Sequence, residues 1–359
     1  MLNLKLILPV WGDKYISYLE EFALSWLLNE GNILEYSENT NNVVELIIVT
    51  IYLDYKNIDK LEIIQKLIRA SVKIKYILMD GTVIIDKYKR LSHYYMEGMK
   101  YINNNSSLPD FVAFLTADIF YSNNSIKFAI EKMINDNYKV ILATGIQVNR
   151  EDLLNEIKNS KFINNRELAK ITLNNLHLNS KDVIIYSNKF RNNWPSHVYW
   201  YNYTNIMYCK CFHLHPFIVK FPSKKIRKMS GSVDVDFVLQ MGYKITDCYI
   251  IKDSDELILL GLNNIEEHFN TEEGTSSYEK IINWSIIHTS KFERELFKNI
   301  YTLHTTENIY DEILFNDYIH FQKIFDDSIS FVKIFSLKVS LIINYIIYLF
   351  IKLLKIVLK

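Results

Sequence analysis

Three short stretches of this chain place acids and imidazoles where a reaction could use them. Asp118 closes Thr116-Ala117-Asp118, the polar end of a wholly apolar run from Phe111 to Leu115. That is the kind of strand end at which open α/β sheets bind ligands. His213 and His215 are separated by one residue, and so are Asp234 and Asp236. On a strand such a pair faces one side, whereas at a helix N-terminus the two side chains diverge, so only one of the two aspartates can readily act as a base. Lys220, Lys224, Lys225, Arg227 and Lys228 lie between the two pairs and could compensate phosphate charge. The same residues have ordinary uses as caps, as imidazoles satisfied by backbone carbonyls and as a solvated basic face.

The elements that must position these groups alternate along the first half of the chain. Leu4 to Val10, Leu46 to Leu53, Val72 to Leu78, Phe111 to Leu115 and Val140 to Ala143 read as strands. Between them, stripes such as Ile16, Leu19, Ala23 and Trp26, or Tyr88, Leu91, Tyr95, Met99 and Ile102, read as helices. Such alternation predicts an α/β fold with a mostly parallel sheet flanked by helices. From Asn193 to Pro216 the chain is dense in aromatic rings, which suit a core and also the apolar faces of sugars. Sheet-like segments return near Lys244 to Leu260, and helices are expected from there onward.

Composition narrows the function. With 41 basic and 41 acidic side chains the net charge is zero, so no overall field recruits nucleic acid. Cys209, Cys211 and Cys248 make no disulfide framework, and the first two sit too close for half of a common zinc knuckle, which points to a reducing, cytoplasmic compartment. The apolar start of the chain is a better strand than a signal peptide.

The order of Leu8-Pro9-Val10-Trp11-Gly12-Asp13, Phe114-Leu115-Thr116-Ala117-Asp118, Phe212-His213-Leu214-His215-Pro216 and Gly231-Ser232-Val233-Asp234-Val235-Asp236 resembles the GT-A class of glycosyltransferases. The likeness runs over roughly residues 1 to 260. It implies a Rossmann-like mixed sheet and transfer of a sugar from a nucleotide-diphosphate sugar to a glycan or lipid-linked acceptor, as in cell-surface polysaccharide biosynthesis. It carries over Pro9, Val10, Trp11 and Gly12 as donor contacts, puts Asp54 and Asp80 near the base or ribose, and gives Thr116 and Asp118 the place of the Asp-X-Asp metal motif. Thr116 stands where the first carboxylate belongs, so dependence on Mn or Mg is left open. If a cation is bound, Asp118 with His213 or His215 would supply its ligands. In inverting members an acid activates the acceptor, and the likeness favours Asp236 for that role, narrowly ahead of Asp234.

A catalytic domain is expected over 1–303 and a C-terminal helical region over 304–359. From Val339 to Ile351 the tail has no charge, and Lys352, Lys355 and Lys359 then share one helical stripe. A helix over about 336–359 is therefore expected to meet anionic lipid, placing the protein peripherally or tail-anchored at the inner face of a membrane. A rival reading, favoured by the Thr116 departure, is a non-catalytic membrane-associated scaffold that keeps a nucleotide-sugar-binding fold. A nucleotidyltransferase would need a glycine-rich basic loop after the first strand, and nothing after Val10 resembles one.

Overall fold

The computed structural model describes residues 2–39, 41–81, 86–104, 108–158, 163–185, 187–201, 203–222, 233, 235–268, 274–308 and 310–329. Asp234, Lys224, Lys225, Arg227, Lys228 and the expected membrane helix at 336–359 lie outside the described residues, and Asp236 is described in its backbone alone.

The strands are β1 (Asn3–Pro9), β2 (Val43–Ile51), β3 (Lys73–Met79), β4 (Phe111–Phe114), β5 (Ile119–Tyr121), β6 (Val140–Ala143) and β7 (Gly145–Asn149). They continue as β8 (His197–Tyr201), β9 (Ile206–Cys211), β10 (His215–Lys220), β11 (Cys248–Ile250), β12 (Leu259–Asn263) and β13 (Tyr301–His304). The helices are α1 (Asp13–Tyr18), α2 (Ile33–Ser37), α3 (Tyr52–Asp59), α4 (Glu62–Arg69), α5 (Lys87–Asn104), α6 (Ser125–Asn135) and α7 (Arg150–Ile157). After them come α8 (Asn165–Asn174), α9 (Leu178–Lys181), α10 (Val235–Gln240), α11 (Tyr278–His288), α12 (Lys291–Phe297) and α13 (Glu312–Ser328).

Seven strands form one sheet in the order β11-β6-β10-β4-β1-β2-β3. β1, β2, β3 and β4 are parallel, β11 is parallel to β6, and β10 alone runs antiparallel to both its neighbours. This is the mixed, mostly parallel sheet flanked by helices that the strand and helix pattern calls for. Apolar residues along β1 alternate between the faces: Leu4, Leu6 and Leu8 enter one core and Ile7 the other. Such two-sided burial requires helices above and below. α5 covers the second face so closely that a methyl group at Gly98 would lie 2.6 Å from the Ile7 side chain. That contact fixes the axis of α5 and aims its N-terminus at the C-terminal edge of the sheet.

The single helix expected from Ile16 onward is broken into α1, a π turn over Leu19–Ala23 and a 3-10 turn over Ser25–Leu28. The apolar stripe survives, with Leu19, Phe22, Trp26 and Leu27 all buried. Two three-stranded sheets flank the large one, β5-β12-β7 and β13-β9-β8. β13 thus interrupts the helical run expected after residue 260. α13 packs Leu314, Tyr318, Phe321 and Phe325 into the same core as β8 and β9, so the described part of the region after residue 303 is continuous with what precedes it. No helix among the described residues is long and apolar enough to cross a membrane.

Candidate functional site

The C-terminal edge of the large sheet opens into two adjoining cavities. The smaller, of about 130 Å³, lies between Pro9, Val10 and Trp11 after β1, Thr116 to Asp118 after β4, and Lys87 and Tyr88 at the start of α5. The larger, of about 1190 Å³, shares Lys87, Tyr88 and Asp118 with it and extends to Asn179, Arg191, Trp194 and His213.

The first wall is made of strand tips. Gly12 begins α1 with φ of 81° and ψ of 146°, a region that side chains with a Cβ avoid. Its amide donates to Asp54 Oδ2 at 2.7 Å, and Asp54, on α3, is only 8% exposed. Asp54 therefore holds the loop after β1 and borders neither cavity, which corrects its expected place at the base or ribose. Asp80 follows β3 in an exposed position and also borders neither. Trp11 meets the edge of Tyr94 with centroids 5.1 Å apart, and the Arg90 guanidinium lies 5.4 Å over its ring. Asp86 accepts the amides of Tyr88 and Lys89 at 2.9 and 3.0 Å, capping α5 and bringing Lys87 and Lys89 to the cleft. Burial pushes the Asp118 carboxyl above its ordinary range, against the opposing pull of the Thr116 hydroxyl, Lys87 and Lys14.

The second wall is a lattice of polar groups bonded to one another. His177 caps α9 by accepting the Asn179 amide at Nδ1, 3.1 Å, which requires its proton on Nε2, bonded to the Asn264 carbonyl at 3.0 Å. Asn179 then receives Arg191 Nη2 on both its backbone and side-chain oxygens, at 2.9 and 3.2 Å. Trp194, 48% exposed, lies nearly parallel to the His213 ring with centroids 6.2 Å apart. His213 Nδ1 meets Glu293 Oε1 at 3.0 Å, while its Nε2 has no hydrogen-bond partner. Burial alone would raise the Glu293 carboxyl, but hydrogen bonds from His213 and Ser290 together hold it below its usual range. A charged carboxylate on Nδ1–H leaves Nε2 as a buried lone pair. His197 is different: burial pulls its pKa down to about 3, and it is bonded to Ser196 and Cys211.

The structure brings Pro9, Val10, Trp11, Thr116 and Asp118 to the small cavity and Asp118 with His213 to the large one. His215 borders neither; its Nε2 bonds the Phe114 carbonyl at 3.0 Å, burial lowers its pKa to about 4, and the ring serves the β10–β4 seam rather than a metal. The backbone of Asp236 lies in the first turn of α10, whose Phe237 meets Phe114 with centroids 4.8 Å apart. That segment therefore packs against the strand that carries Asp118. Sequence reasoning missed Glu293, Asn179, Arg191 and Lys87. Only Lys87 had a local signal, as a cation directly after Asp86 at a helix start.

Thr116 beside Asp118 leaves a single carboxylate at this end of β4, where a divalent ion is commonly held by two. Thr116 supplies no charge, and Asp118 is electrostatically paired with Lys14 and Lys87. Among the described residues, Lys87 and Lys14 bring positive charge to the neighbourhood of Asp118.

No protein-family model matches the chain, and no curated protein matches it. Solved structures do. S. aureus TarS 1-349 aligns with a TM-score of 0.29 at 17% identity, over 41% of this chain and 37% of that one. The same protein in complex with UDP-GlcNAc aligns with a TM-score of 0.37 at 14% identity, over 83% and 70%. Mouse xyloside xylosyltransferase 1 in its apo form aligns with a TM-score of 0.28 at 15% identity, over 44% and 59%. The chain thus spans little more than a third of the first of these, and likenesses of this size transfer no residue role.

Proposed function

We propose that this chain is a glycosyltransferase taking its sugar from a nucleotide-diphosphate donor. The observation that carries the reading is the meeting of three element ends on one cleft: the loop after β1, the Thr116–Asp118 end of β4 and the N-terminus of α5. The donor diphosphate lies against Lys87, whose positive charge offsets the charge on the diphosphate as it departs. Asp118 stands between the small cavity and the large one, at the place a donor sugar would occupy. An acceptor hydroxyl in the large cavity attacks the anomeric carbon, the bond from that carbon to the diphosphate breaks, and the hydroxyl proton passes to a base. Asp236, with Asp234 as its neighbour, is proposed for that base from the sequence likeness. His213, aligned by Glu293, is the described residue best prepared to share the task. Trp194 offers an aromatic face to an acceptor sugar.

Residues 1–303 are proposed as the catalytic unit. The uncharged tail with its lysine stripe supports a membrane surface and a lipid-linked or surface glycan acceptor.

The test offers purified full-length protein a panel of UDP-, GDP- and dTDP-sugars, with thermal stabilisation and donor hydrolysis as readouts. At least one donor should stabilise the chain and be hydrolysed, and Asp118→Asn should abolish hydrolysis. Stabilisation without turnover in any condition would instead support the scaffold, and neither response would end both readings.

A further inference from the structure

We propose that Asp253, Asp255 and His304 form a divalent-cation site, separate from the cleft, that clamps the turn after β11 to the end of β13. Single donor atoms of the three side chains lie within 4.8 Å of one another. Backbone pairing brings the two segments together: the Thr302 amide bonds the Lys252 carbonyl at 2.8 Å and the Ser254 amide bonds the Thr302 carbonyl at 2.9 Å.

His304 points to a ligand independently of the acids. Its side chain is 1% exposed, and its Nδ1–H donates to the Thr306 carbonyl at 2.7 Å. That bond fixes the tautomer and leaves Nε2 with a lone pair, as backbone carbonyls do for metal-bound histidines. Nε2 has no hydrogen-bond partner, and it faces Asp255 Oδ2 at 3.9 Å. That distance is too long for a hydrogen bond. The buried His304 lone pair facing a carboxylate oxygen is repelled by it unless a positive charge lies between them, and a cation about 2.0–2.2 Å from each ligand would bridge the gap.

The remaining groups orient the site. Asp253 Oδ1 accepts the amides of Asp255 and Glu256 at 2.9 and 3.3 Å. Asp255 is gripped by Arg166 at 3.3 and 3.1 Å, and Arg166 also faces Glu307 at 3.6 Å. Three carboxylates against one guanidinium leave a local deficit of two positive charges, which one divalent ion closes. One imidazole nitrogen with carboxylate oxygens suits Zn2+ or Mn2+ better than Mg2+ or Ca2+. None of the three residues borders either cavity, so the ion would brace the fold rather than take part in the reaction.

The test uses full-length protein freed of metal with chelator and titrated separately with Zn2+ and Mn2+, reading bound metal by mass spectrometry and the thermal midpoint. One equivalent should bind and raise the midpoint by a few degrees. Asp255→Asn, at an exposed position, and Asp253→Asn should each weaken binding at least tenfold while circular dichroism stays unchanged. Asp118→Asn should bind like the parent chain, which separates this site from the cleft. Absence of stoichiometric binding, or equal binding by both Asn variants, overturns the proposal. So does an imidazole nitrogen signal showing His304 doubly protonated with and without added metal.

Discussion

The wall of the cleft made of strand tips keeps its polar groups at the ends of apolar elements, whereas the facing wall buries polar groups against one another. On the first, Asp118 is left with a burial cost that the Thr116 hydroxyl, its own backbone amide and the charges of Lys87 and Lys14 only partly offset. On the second, His177, Asn179 and Arg191 answer one another's hydrogen bonds, and Glu293 fixes His213. A strained carboxyl beside lysines faces a wall of mutually bonded polar groups, the arrangement expected where one side meets a charged ligand and the other a neutral, hydroxyl-rich one.

The sharpest way to break this contrast is Asp118→Asn. Transfer should fall at least about a hundredfold, yet the thermal midpoint at neutral pH should hold or rise. A carboxyl whose folded pKa is raised costs stability once pH exceeds its ordinary value, and the amide removes that cost. A lower midpoint in calorimetry would mean that Asp118 is a structural residue. Next in size, Glu293→Gln frees the His213 tautomer and should reduce kcat with acceptor about ten- to a hundredfold while leaving donor affinity unchanged. Equal losses in donor affinity, measured by calorimetric titration, would erase the division between the walls. Trp194→Ala removes a stacking face worth about 0.5–1.5 kcal/mol and should raise acceptor KM up to about tenfold with little change in kcat. An unchanged KM would leave the ring as mere cover for His213.

The smallest effect concerns the support behind the second wall. Lys210 is fully buried, its Nζ bonding the carbonyls of Phe297 and Lys298 at 2.9 Å each and Gln322 Oε1 at 2.6 Å. Burial lowers its pKa from 10.5 to about 7. Between those values the unfolded chain holds a proton that the folded chain does not, so stability should climb as pH rises from about 7 toward 10.5. Lys210→Met should flatten that climb in urea unfolding. Parallel curves for the two proteins would show that the amine keeps its charge.

The legible part of the fold is the part governed by local pattern. β1, β2, β4 and β6 are apolar runs with turn residues at their ends, so their positions followed from burial on both faces, and β3, at the sheet edge, followed from its alternation. β5 and β13 exist because distant partners, β12 and β9, complete them, which no window of sequence displays. The cleft divides in the same way. Trp11 and Asp118 sit at strand ends and could be found from order alone. Glu293 is joined to His213 across 80 residues, and Asp54 to Gly12 across 42, the latter turning an expected ligand contact into a brace. His215 was legible as a histidine near the sheet edge, but the Phe114 carbonyl that claims it belongs to a strand paired only in three dimensions.

Lys210 has a mechanical consequence. Its single nitrogen grips both the end of the helix that carries Glu293 and the flank of α13. The last described helix is therefore wired to the alignment of His213.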